Sequence, residues 1–163
     1  MKPVERVPPR MYDTVLLATD GSDAADRAAE RAIDLAATYG AALHAIYVIE
    51  TRTAYDNAIV DPEEVEANLR SEGSEILDAV AERAAAAGVD AETAIEEGVP
   101  DEVIETYADE RGADVIVLGR RGRSGLRRAL LGSTTDALVR TSPVPVLVVG
   151  DDEDVAGAGS RKA

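Results

Sequence analysis

Cysteine, phenylalanine and tryptophan are all missing from the 163 residues. Without cysteine there are no disulfides, cysteine-ligated zinc, iron–sulfur clusters or thiol catalysis. A single histidine, His44, leaves no histidine-based metal cluster. The core must be assembled from aliphatic side chains, five tyrosines and 29 alanines. Lysine is reduced to Lys2 and Lys162, against fifteen arginines. No apolar run approaches the ~18–20 residues that span a bilayer, so no membrane partner is expected. Residues 1–12 hold three prolines and mixed charge but no apolar stretch, unlike a signal peptide. The expectation is a cytoplasmic protein, with Met1 and Met11 both open as the natural start.

Enough apolar material remains to fold. Hydrophobic residues make up 45% of the chain, which excludes intrinsic disorder as the main state despite a net charge of −15 and a pI near 4.4. Sixteen Asp and sixteen Glu, few lysines and abundant alanine resemble the composition of proteins from salt-accumulating, halophilic microbes. There, screening over ~3 Å at 1 M salt makes a like-charged surface tolerable. An ordinary acidic cytosolic protein is the alternative. Either way, a polyanionic surface excludes general nucleic-acid binding.

The order of elements follows from periodicity. Val15–Ala18 is a short apolar run, as in a strand buried on both faces. After Thr19-Asp20-Gly21-Ser22, with Ser22 or Asp23 as cap, Ala25, Ala28, Ala29, Ala32, Ile33 and Ala36 recur at helical spacing until Gly40. A second strand reads Ala42–Ile49, and Glu50–Asp61 has the period of neither element. Asp61-Pro62-Glu63-Glu64 opens a helix running to Gly88, in which Gly73 is a weak point. Val89–Glu96 alternates like an edge strand, and Gly98-Val99-Pro100-Asp101 leads into a helix through Tyr107. Asp114–Gly119 is a second buried strand. A helix over Ser133–Arg140 and a strand over Pro143–Val149 close the series. Strands alternating with helices make one α/β domain with a parallel sheet. It occupies residues 12–150, between flexible extensions at 1–11 and 151–163.

Ligands of such sheets bind beyond the carboxyl ends of the strands, where strand order reverses. The segment after the fourth strand, Gly119 to Thr134, therefore carries the chemistry. Glycines after a buried strand let backbone N–H groups approach a phosphate. Gly132-Ser133-Thr134 opens a helix whose free N–H groups and dipole suit an anion. Residues 118–140 contain six arginines against Asp136, a local +5 within a body of −20. Five of these arginines fall between Arg120 and Arg128, and guanidinium binds phosphate as a fork. Pairing with nearby carboxylates or another subunit is the alternative use. The P-loop, the dinucleotide fingerprint, kinase signatures and the nucleophile elbow are absent.

The spacing Gly119-x2-Gly122-x9-Gly132-Ser133-Thr134 resembles the nucleotide-binding signature of the universal stress protein family. Val15–Ser22, Asp114–Gly119 and Ser142–Val149 are similar to that family's first strand and turn, its strand before the glycine loop, and its closing strand. The resemblance spans roughly Tyr12 to Gly150. It implies a five-stranded sheet in the order 3-2-1-4-5 that binds ATP or a related adenine nucleotide between strands one and four. In this alignment Ala18 lines the base pocket beside Thr19, Asp20 approaches the ribose or metal side, and Val48 contacts adenine through its backbone. Leu118 packs near the ribose and base, and Gly119, Gly122, Gly132, Ser133 and Thr134 surround the phosphates. Arg120 and Arg121 stand where many members have a small residue or histidine, and are assigned to the phosphates. Mg²⁺ or Mn²⁺ rides on those phosphates, with no protein metal site. The family also implies a homodimer through Val146–Val149, an apolar edge.

The expected function is an ATP-binding stress-response protein, a nucleotide-dependent switch or binding module. A slow Mg- or Mn-dependent ATPase and a dimeric interaction module without nucleotide are the rivals. No residue is assigned to catalysis. His44 reads as a packing residue and Asp114 as a turn or cap residue. The acids at Glu63-Glu64 and Asp101-Glu102 complement helix dipoles.

Overall fold

The computed structural model describes residues 9–51, 61–122 and 130–150. The extensions assigned to 1–11 and 151–163 lie largely or wholly outside them, as do most of the 50–61 segment and Arg123, Arg127 and Arg128. The elements are β1 (Thr14–Ala18), α1 (Asp23–Tyr39), β2 (Ala42–Glu50), α2 (Pro62–Ala86), β3 (Ala91–Gly98), α3 (Pro100–Arg111), β4 (Val115–Gly119), α4 (Ser133–Thr141) and β5 (Val146–Val149). The strands pair in parallel in the order β3-β2-β1-β4-β5. The chain thus has the expected α/β architecture, with strand order reversing between β1 and β4.

Local chemistry sets the boundaries. Ser22 caps α1 by accepting the Ala25 N–H at 3.2 Å, and Gly40 ends it with φ +65°. Asp61 caps α2 through the Glu63 N–H at 3.1 Å, with Pro62 in the first turn. The helix read as ending at Tyr107 continues one turn to Arg111, until Gly112 takes φ +62°. The last strand starts at Val146, three residues later than expected. Pro143 and Pro145 have no N–H to give, and the Ser142 hydroxyl holds a local turn by bonding both the N–H and the C=O of Val144. β3 is displaced two residues from Val89–Glu96 to Ala91–Gly98.

Each face of the sheet carries its own core. One packs Val15, Leu17, Leu43, Tyr47 and Val117 against α1 and α2. The other packs Leu16, Ile46, Ile116 and Leu118 against α3 and α4 through Ile104, Tyr107 and Leu138. Alanines make up most of the buried stripe of α1, so that helix lies close to the sheet without aromatic filling. Gly73 has a positive use: a Cβ there would stand 2.6 Å from the Tyr47 ring, so its hydrogen leaves room for the largest side chain of that core.

Candidate nucleotide crevice

The reversal of strand order opens a cavity of about 330 Å³ at the carboxyl ends of β1, β2 and β4. Eleven of the twelve site residues read from the sequence line it: Ala18, Thr19, Asp20, Val48, Leu118, Gly119, Arg121, Gly122, Gly132, Ser133 and Thr134. Arg120 is not among the lining residues. Its backbone works as strand and loop, with the N–H donating to the Val149 carbonyl at 2.8 Å and the C=O accepting from the Gly132 N–H at 2.9 Å.

One end of the cavity is apolar. Alternate residues of β2 point the same way, so Ile46 and Val48 follow one another along the wall, with the charged Glu50 ending the row, and Pro100 and Ile104 of α3 line the same cavity. Ala18 and Leu118 complete this end from the central strands. The other end is built from backbone and hydroxyls. Gly132 begins α4 without a side-chain cap, so the first-turn N–H groups have no internal helical partner. Ser133 and Thr134 stand at the same helix end.

The glycines differ in what requires them. A Cβ on Gly119 would lie 2.8 Å from the carbonyl carbon of Ala24, so β4 can meet the start of α1 only through glycine. A Cβ on Gly122 would lie 2.5 Å from Oδ2 of Asp20. At Gly132 the same atom would meet the backbone of residues 120–122 at 3.5–3.6 Å, an ordinary contact. Asp20 is held by its other oxygen, since Oδ1 accepts the Ser22 N–H at 2.9 Å. Thr19 is buried, gives its N–H to the Ile46 carbonyl at 3.0 Å and accepts the Gly21 N–H on its hydroxyl at 3.2 Å.

Sequence reasoning missed Ala25, Ile46, Glu50, Pro100, Ile104 and Thr135 as lining residues. Ile46 and Glu50 were findable, lying two residues either side of Val48 on one strand face. Pro100 and Ile104 depend on how α3 crosses the sheet. Thr135 is buried and donates its hydroxyl to the Gly119 carbonyl at 2.9 Å.

Two other titratable residues sit elsewhere. Asp114 Oδ2 accepts the N–H groups of Asp13 and Thr14 at 2.8 and 2.9 Å, tying the start of β1 to β4 at the opposite end of the sheet. His44 lies on the α3 side of β2, with Nδ1 3.3 Å from the Tyr107 hydroxyl and 3.4 Å from Glu92 Oε2. Burial holds its pKa below the ordinary 6.5; Glu92 opposes that shift and Arg111 adds to it. Burial also raises the pKa of the Tyr107 phenol. Among the described residues no group of three or more His, Asp or Glu side chains is arranged to hold a metal ion. Among the described residues no helix is long and apolar enough to cross a membrane.

Comparison with known proteins agrees with this geometry. The sequence profile described as the universal stress protein family matches residues 11–150. Universal stress protein MJ0531 of Methanocaldococcus jannaschii is 37% identical over 140 residues, covering 85% of this chain and 82% of that protein. Among solved structures, universal stress protein UspA of Lactobacillus plantarum superposes with a TM-score of 0.72 at 34% identity, over 85% of this chain and 97% of its own. A universal stress protein solved in complex with cAMP gives 0.62 at 34% identity, over 85% and 97% of the two chains.

Proposed function

The chain belongs to the universal stress protein family, and on that premise we propose that its crevice binds an adenine nucleotide, with ATP the expected ligand. The observation that carries this is the division of one cavity. Its apolar wall of Ile46, Val48, Ile104 and Leu118 suits a base. The uncapped start of α4 beside Gly119 and Gly122 suits phosphate. The relative solved with cAMP supports an adenine nucleotide as the ligand class. With no three-carboxylate cluster among the described residues, Mg²⁺ or Mn²⁺ would be held through phosphate oxygens, neutralising charge beside Asp20.

In this reading the protein is a nucleotide-dependent switch or binding module of the stress response, working in the cytoplasm. Neither lysine nor histidine lines the cavity among the described residues, and Asp20 already accepts one backbone N–H. Binding therefore explains the geometry more fully than hydrolysis does. A dimer through β5 is part of the proposal, since β5 is an edge strand with Leu147 exposed. The acidic, lysine-poor composition further suggests a salt-rich interior, where melting temperature would rise with KCl.

Calorimetric titration with MgATP tests the site. Wild type should bind, and Gly132→Val should not, because the branched side chain lies against the backbone of residues 120–122 in the phosphate space. Equal binding by both proteins would place the ligand elsewhere. Recovery of intact ATP after hours of incubation is expected; conversion to ADP would favour the slow ATPase.

A further inference from the structure

We infer that Thr135 is the positioning residue of this crevice: its hydroxyl bond to Gly119 aims the first-turn N–H groups of α4 at the ligand's phosphates. The inference rests on the nucleotide reading above, and nothing in the glycine spacing assigns it. Three observations combine. Thr135 is buried at the edge of the crevice, and its hydroxyl is turned into the protein rather than towards the cavity mouth, onto a backbone carbonyl. Its acceptor, the Gly119 carbonyl at 2.9 Å, belongs to a residue pressed against the Ala24 backbone too closely to admit a Cβ, and so is a fixed point. A second bond joins the Gly132 N–H to the Arg120 carbonyl at 2.9 Å.

The two bonds divide the work. The Gly132 bond sits at the junction of loop and helix and sets where α4 begins. The Thr135 bond, three residues on, lies nearly one helical turn away. With Leu138 packing the far end of the helix into the core, it fixes the orientation of the first turn from that origin. Removing it leaves α4 tethered at Gly132 and packed at Leu138 but loosens the first turn between them. The Gly119 carbonyl would also be left buried without its hydroxyl partner. An anion held by several N–H groups at a helix end depends on that orientation, because each bond weakens steeply with misalignment. A nucleoside without phosphate does not.

The test uses the full chain and two probes, ATP and adenosine, each titrated by calorimetry. Thr135→Val keeps the shape and removes the hydroxyl; Thr135→Ser keeps the hydroxyl. The ratio of ATP affinity to adenosine affinity should fall about tenfold in Thr135→Val, as expected for one lost buried hydrogen bond. It should return to within about threefold of wild type in Thr135→Ser. Thr135→Ala replaces the valine variant if the latter fails to fold. An unchanged ratio in the valine or alanine variant, whether both affinities hold or both fall together, overturns the positioning role and leaves Thr135 structural. A serine variant that folds but does not recover the ratio overturns it too. Failure of wild type to bind either probe removes the nucleotide reading itself, and this inference with it.

Discussion

Gly122 faces the carboxylate of Asp20 so closely that an added Cβ would stand 2.5 Å from Oδ2. Asp20 is short and anchored by Oδ1 on the Ser22 N–H, so its free oxygen can move only by swinging away from the glycine loop. Gly122→Ala should therefore weaken MgATP binding while moving the melting temperature little, because the obstacle is a side-chain end at the crevice mouth. Gly119→Ala is the contrast, since it meets the backbone of Ala24 at 2.8 Å. Overpacking of that kind costs about 1–3 kcal/mol, or about 2–12 °C for a chain of this size. Melting curves with and without MgATP separate the two. Equal destabilisation by both alanines would contradict the assignment.

Gly73 and Tyr47 give a prediction whose sign is opposite to helix propensity. Alanine in a helix interior normally gains about 1 kcal/mol over glycine. Here the new methyl would press 2.6 Å from Cδ1 of a buried ring. Gly73→Ala should lower the melting temperature, and Tyr47→Leu in the same chain should recover part of the loss. A stabilised single variant would show that the ring yields freely.

The pH dependence of stability should carry a His44 component. Its folded pKa lies below 6.5, through burial against Tyr107, with Glu92 raising it and Arg111 lowering it. The unfolded chain thus binds the proton more tightly. The contribution is fully present above the unfolded pKa of about 6.5 and is lost as pH falls through the folded value. Between about pH 7.5 and pH 5, wild type should lose more melting temperature than His44→Gln. Parallel profiles would mean that His44 titrates as it does in the unfolded chain.

Much of this was legible from the sequence, and the remainder has identifiable reasons. Buried central strands announce themselves as apolar runs, which is why Val15–Ala18 and the strand ending at Gly119 were placed within a residue. The glycine-to-hydroxyl series pointed to the crevice because a loop that approaches phosphate must shed its side chains. Ends of elements were less visible. α3 passes Tyr107 because its stop is Gly112, and β5 waits until Val146 because the two prolines before it have no N–H to donate to a ladder. Contacts across the fold were not visible at all. Gly73 read as a defect until Tyr47 lay over it, and nothing in the sequence set Thr135 apart before its hydroxyl was found on the Gly119 carbonyl.

Nucleotide binding is tested most directly by thermal melting of the purified full-length protein with and without MgATP. A ligand at about 100 times its dissociation constant adds ~2.7 kcal/mol to folding stability. For a chain of this length that is a rise of about 5–11 °C, and it is the expected result. An unchanged melting temperature at millimolar MgATP, with no nucleotide released from the denatured protein, would contradict it.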